Sequence, residues 1–101
     1  MHALDESQKE RLIDILTNEL KVLRTKANIS QQDLADRMGV SRQTYSMIET
    51  KKQRMTWSHF LTLLFLFKSN DDTAKMIEWI GAYPSELERY VKLQNAADNG
   101  E

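Results

Sequence analysis

Leu12, Leu16, Leu20, Leu23 and Ala27 recur at spacings of four, four, three and four residues. That is the apolar stripe of one long amphipathic helix, and it predicts a helix from about Asp5 to Ala27. Asn28 supplies the stop, because Asn tolerates the left-handed backbone that ends helices. Ile13 and Ile15 fall off this stripe and are free for a second surface. Ser30-Gln31-Gln32-Asp33 then opens a new element. The Ser30 hydroxyl can cap it, and Asp33 stands where a capping box usually carries Glu or Gln. A short helix through Met38 follows, with Leu34, Ala35 and Met38 apolar on one side.

Gly39 ends that helix, Val40 follows, and Ser41 caps another from Arg42 to Glu49. Two short helices joined by about three residues around a Gly cannot lie antiparallel, so they cross steeply as a helix-turn-helix unit. In the second helix Tyr45 and Ile48 share one face. Arg42, Gln43, Ser46 and Met47 lie on the other, and no core needs them. The polar loop Thr50-Lys51-Lys52-Gln53-Arg54 leads to Thr56, a good cap for an almost wholly apolar helix from Trp57 to Phe67. That helix is expected at the buried centre. Asn70-Asp71-Asp72 caps a helix over about residues 73–81 that carries Met76, Ile77, Trp79 and Ile80. Gly81 and Pro84 break it, and a last helix from about Ser85 to Asn95 shows Leu87, Tyr90, Val91 and Leu93. The expected fold is all-α, a compact bundle of five to six helices with an extended first helix, and residues 96–101 as a frayed tail.

Composition narrows the function classes. The 101 residues suffice for one small domain. With 41% hydrophobic residues, one Pro and three Gly, the chain reads as folded. The absence of cysteine removes disulfides, thiolate metal sites and cysteine nucleophiles together. His2 and His59 are isolated from other ligand-type residues, so no metal or other cofactor is expected. There is no Gly-rich phosphate loop, nucleophile elbow or convergent acid–base pair, which argues against an enzyme. The longest apolar run, Leu63 to Phe67, is far short of the roughly 20 residues of a membrane helix. The polar N-terminus does not read as a signal peptide, so a cytoplasmic location is expected.

The net charge of −1 hides a split. Residues 1–20 carry net −3, residues 21–54 net +5, and residues 55–101 net −3. The basic middle comprises Lys21, Arg24, Lys26, Arg37, Arg42, Lys51, Lys52 and Arg54, and it suggests one surface turned toward a polyanion.

The ungapped stretch from Leu20 to Phe67, with Gln31, Leu34-Ala35, Gly39-Val40-Ser41 and Ile48-Glu49 as its central pattern, resembles the helix-turn-helix domain of Cro, lambdoid phage repressors and xenobiotic-response-type bacterial regulators. The resemblance divides the chain into an N-terminal extension (1–19), the DNA-binding domain (20–67) and C-terminal helices (68–95), a candidate dimerisation segment. It implies that helix 42–49 enters the major groove and that Arg42, Gln43, Ser46 and Met47 read base edges. The chemistry suits this, since Arg pairs bidentately with guanine and Gln with adenine, while Met47 offers apolar contact only. The resemblance further implies phosphate contacts from Gln31, Ser41, Thr44, Lys51, Lys52 and Arg54, and a structural ion pair between Arg24 and Glu49. Lys51 stands where the family commonly has Gly, Met55 where Pro is common, and Tyr45 where a branched aliphatic is frequent.

The expected protein is therefore a sequence-specific transcriptional regulator, most simply a bacterial or phage repressor. Its partner would be double-stranded DNA with an inverted repeat, read by a homodimer. Its dimer surface would come from residues 57–67 and 76–93 or from the helix before Leu20, with the acidic ends turned away from DNA. Two alternatives remain at this level: an antitoxin that also binds a toxin through residues 68–101, and a protein-interaction module, using residues 57–93, that has lost DNA binding.

Overall fold

A computed structural model describes residues 4–93 of the chain, and among them every regular element is helical. The helices are α1 (Glu6–Lys26), α2 (Gln31–Met38), α3 (Arg42–Glu49), α4 (Trp57–Lys68), α5 (Asp71–Trp79) and α6 (Ser85–Val91). The frayed tail expected at 96–101 and the expected helix end at Asn95 lie outside the described residues. Within them, α6 ends at Val91, with Lys92 in extended backbone.

The caps explain the starts. Gln8 N–H donates to Asp5 Oδ1 at 2.8 Å and Asp5 N–H to Gln8 Oε1 at 2.9 Å, a complete capping box on α1. At α2 only half a box forms: Asp33 N–H donates to Ser30 Oγ, while Asp33, a methylene shorter than Glu, makes no return bond. Thr56 and His59 close a box at α4, which gives the isolated His59 a structural role. Asn70 alone caps α5, accepting from Asp72 and Thr73 N–H. Asp71 and Asp72 are thus first-turn residues near the positive end of the helix, not its cap.

The ends share one device. Asn28, Gly39, Lys51 and Gly81 all take left-handed φ values, of 57°, 74°, 66° and 80°. The N–H of the residue after each bonds back to a carbonyl five residues earlier, at 2.8–3.3 Å (Ile29 to Arg24, Val40 to Ala35, Lys52 to Met47, Ala82 to Ile77). Four helices therefore stop and turn by the same hydrogen-bonded reversal.

α2 packs on α3 and α4, α4 on α5, and α1 runs along α3, α4 and α5. The core joins Leu16, Leu20 and Leu23 of α1 to Leu34, Tyr45, Ile48, Phe60, Leu63, Phe67, Ile77 and Leu87. Ile13, expected off the stripe, is buried, and Ile15 is partly so. The first half of α1 thus has little apolar surface left for a partner. α4 is less central than its composition predicts, for Phe65 is 73% exposed. At the edge, Trp57 stacks on Phe60 with ring centroids 4.8 Å apart and meets Tyr90 edge-on at 6.1 Å. The Lys9 ammonium lies over both Trp57 and Tyr90, which fixes the start of α1 against the end of α6.

Candidate nucleic-acid interface

α3 is amphipathic at the level of single side chains. Tyr45 and Ile48 are fully buried against the core, while Arg42 and Gln43 stand exposed at its N-terminal end. Ser46 and Met47, one turn on, are half-buried, as is Thr44. Ser41 spends its hydroxyl on the helix start, accepting from Thr44 N–H and donating to Thr44 Oγ1, both at 3.0 Å.

One buried carboxylate holds the outer faces of α2 and α3 in register. Glu49 accepts from Arg24 Nε at 2.8 Å and from a second Arg24 guanidinium nitrogen at 3.2 Å. It also accepts from Tyr45 Oη at 2.6 Å and Gln31 Nε2 at 3.1 Å. Arg24 donates further to the Ile29 carbonyl, so the end of α1, the start of α2 and the end of α3 converge on one anion. Burial pushes the Glu49 carboxyl up, but the hydrogen bonds from Arg24, Tyr45 and Gln31 outweigh it and hold the group below the usual carboxylate range. Burial, then the bond to Glu49, drives the Tyr45 phenol upward, and the bond to Glu49 raises Arg24. The resemblance implies the Arg24–Glu49 pair but not Tyr45 and Gln31 as members of the cluster. The spacing of four between Tyr45 and Glu49 on one helix was the available signal.

The loop after α3 turns on Lys51. Its left-handed backbone keeps the shape a Gly would give, and the Met47 carbonyl accepts from both Lys52 and Gln53 N–H. Lys51 and Lys52 are exposed and, like Arg42, form no ion pair among the described residues. Arg54 differs from expectation. It donates to Asp14 Oδ1 at 2.9 Å and forms a second ion pair with Glu10, both on α1. Two of the acidic N-terminal side chains therefore meet the loop instead of turning away from it. Met55 is buried and fills the core at the start of α4.

Of the eight basic residues in the middle segment, Arg24 and Arg54 are matched by carboxylates. The uncompensated cations nearest α3 are Arg42, Lys51 and Lys52. Among the described residues no group of acidic and His side chains is arranged to hold a metal, and no helix is long and apolar enough to cross a membrane.

The family model described as helix-turn-helix matches residues 20–56, from within α1 through α2 and α3 to the cap of α4. No curated protein and no solved structure matches the chain.

Proposed function

We propose that the chain, whose residues 20–56 match the helix-turn-helix family model, is a DNA-binding regulator, and from that premise that it is a dimeric, sequence-specific repressor reading the major groove with α3. The observation that carries this reading is the division of α3. One face is fully buried and tied through Glu49 to α1 and α2, and the other presents Arg42 and Gln43 unpaired to solvent. A rigidly held helix with free hydrogen-bonding side chains at its N-terminal end is what base readout requires.

Arg42 and Gln43 carry the base reading, with Ser46 and Met47 contributing one turn later. Lys51 and Lys52 follow the phosphate backbone, joined at the start of α3 by the Ser41 backbone N–H and the Thr44 hydroxyl, since the Ser41 hydroxyl proton is held by Thr44. Gln31, with one amide N–H held by Glu49, offers the other to a phosphate.

A second copy supplies the second half-site. The surface that best suits it is the α4–α6 face, where an open groove of about 300 Å³ is lined by Leu61, Leu64, Phe65, Tyr83 and Val91, with Lys68 as its one charged residue. Phe65 is 73% exposed there and Val91 37%, and exposed aromatic surface beside an apolar groove is characteristic of an association surface.

The test is selection of bound sequences from a random DNA pool by the purified chain at about 0.15 M salt, where specific binding outlasts the sequence-independent kind. Recovery of an inverted repeat with half-sites about one turn apart is the expected result. Recovery of no motif overturns the reading and shifts weight to a protein-interaction module. A stable complex with the product of a neighbouring gene on the α4–α6 face favours an antitoxin.

A further inference from the structure

The N-terminal half of α1 precedes the segment matched by the helix-turn-helix family, yet two of its side chains reach into the loop that would follow the DNA backbone. Glu10 and Asp14 stand four residues apart, so they project from one side of α1. Arg54 lies between them. One guanidinium nitrogen donates to Asp14 Oδ1 at 2.9 Å, and another bonds the Glu10 carboxylate and, at 3.4 Å, the Glu10 carbonyl. Asp14, Lys51 and Arg54 line the same cleft, together with Thr17, Asn18, Gln53 and Met55, so the Asp14 carboxylate shares it with two loop cations.

A guanidinium forked between two anionic oxygens has the arrangement it would adopt on a phosphate. All three side chains are about half exposed: Arg54 49%, Glu10 57% and Asp14 62%. The contact is therefore not a core element. Exposed ion pairs of this kind contribute little to stability, and Arg54 needs no such pair to remain in solution. What the pair does change is the number of cations the loop offers to a polyanion.

We infer that Glu10 and Asp14 act as a built-in substitute for DNA phosphate, holding Arg54 and withholding it from the backbone of a bound duplex. The inference rests on the DNA-binding reading above. Its consequence is a lower sequence-independent affinity, because each phosphate neutralised adds about 0.9 to the slope of log affinity against log salt. The loop then engages DNA through Lys51 and Lys52, and α3 contributes a larger share of the total binding. Since genomic non-operator sites vastly outnumber operators, fewer backbone contacts shorten the time spent on the wrong sites.

The experiment measures binding of the full chain to a short mixed-sequence duplex across a salt series. The forms compared are the unaltered chain, the isosteric double variant E10Q/D14N, R54Q, and R54Q combined with E10Q/D14N. The double variant E19Q/E88Q, at two carboxylates that form no ion pair among the described residues, controls for the net charge change. Circular dichroism verifies that each form is folded.

Relative to that control, E10Q/D14N is expected to bind on the order of 3- to 10-fold more tightly at low salt, with a salt slope steeper by about 0.9. R54Q alone should change little, and R54Q added to E10Q/D14N should abolish the gain. A gain no larger than the control's, or one that survives R54Q, overturns the inference while leaving the DNA-binding reading intact. Failure of every form to retain the duplex, even at low salt, overturns that reading and the inference with it.

Discussion

Arg24 and Glu49 lie 25 positions apart and meet as a two-pronged ion pair at 2.8 and 3.2 Å, with the Glu49 side chain only 5% exposed. The pair closes the gap between the end of α1 and the end of α3, and Tyr45 and Gln31 complete the acceptor's shell. Removing the carboxylate would strand a mostly buried guanidinium, a phenol and an amide together. Glu49→Ala is therefore expected to lower stability by about 3 kcal/mol. Glu49→Gln, which retains one acceptor oxygen, should cost less. Urea denaturation ranks the two, and equal losses would mean that the charge, not packing or the remaining acceptor oxygen, makes the contact.

The same cluster sets a pH dependence at both ends. Glu49 is held below its ordinary value of 4.5, so its contribution is complete above that pH and is lost as pH falls through the lower folded value. Tyr45 is held above its ordinary value of 10.0, because ionisation inside the core is disfavoured. Its contribution is complete below pH 10.0 and declines as the unfolded phenol begins to ionise above it. Stability measured from acid to alkaline pH should show both shoulders. Glu49→Gln should flatten the acid one and Tyr45→Phe the alkaline one.

Lys51 and Gly39 take nearly the same left-handed backbone, with φ of 66° and 74°, but only one of them is Gly. A side chain in this region costs roughly 1–2 kcal/mol, offset in part by the smaller unfolded-state entropy of a non-Gly residue. Lys51→Gly should accordingly raise stability by about 0.5 kcal/mol, while weakening DNA binding and lowering the salt slope by about 0.9 through loss of a cation. Gly39→Ala meets no atom within 4 Å, so its cost is confined to the backbone, about 1 kcal/mol. Thermal melting and a salt titration together separate the two effects, since stability and affinity move oppositely only if Lys51 has both roles.

Much of this architecture was legible because its signals are local. The starts of α1, α2, α3 and α4 follow from Asp5, Ser30, Ser41 and Thr56, and the stop at Gly39 from its freedom at positive φ. Burial required knowing which helices meet. The burial of Ile13 comes from neighbours packed on a second side of α1, and the exposure of Phe65 from the lack of a neighbour over that face of α4. The capture of Arg54 by Glu10 and Asp14 spans about 40 positions and has no periodic signature, so no reading of spacing anticipates it. Gln31 joins the Glu49 cluster for a similar reason, across 18 positions and two helices, whereas Tyr45 stands one turn from Glu49 on α3 and its bond is the local one.

The exposed Phe65 allows the dimer to be tested apart from DNA. Phe65→Glu places a charge on the α4–α6 face at a position 73% exposed, so the fold should tolerate it. Sedimentation equilibrium should find the unaltered chain dimeric and Phe65→Glu monomeric at the same concentration. A dimer that persists in the variant would move the interface elsewhere.

Arg42 and Gln43 project from the first turn of α3 with no ion pair and no side-chain hydrogen bond among the described residues, so truncating either should leave the fold unchanged. Their proposed partners differ, guanine for Arg42 and adenine for Gln43. Replacing either by Ala should cost roughly 1–3 kcal/mol on the selected operator and relax preference at one base pair in each half-site. On mixed-sequence DNA, Gln43→Ala should change almost nothing, while Arg42→Ala should lose only the general effect of one positive charge. Lys52→Ala makes the contrast, because a backbone contact weakens operator and mixed-sequence binding alike and lowers the salt slope by about 0.9. Parallel titrations of the three variants on both duplexes decide the assignment. If Arg42→Ala and Gln43→Ala lose the same affinity on both, the face of α3 follows the backbone and the bases are read from another element.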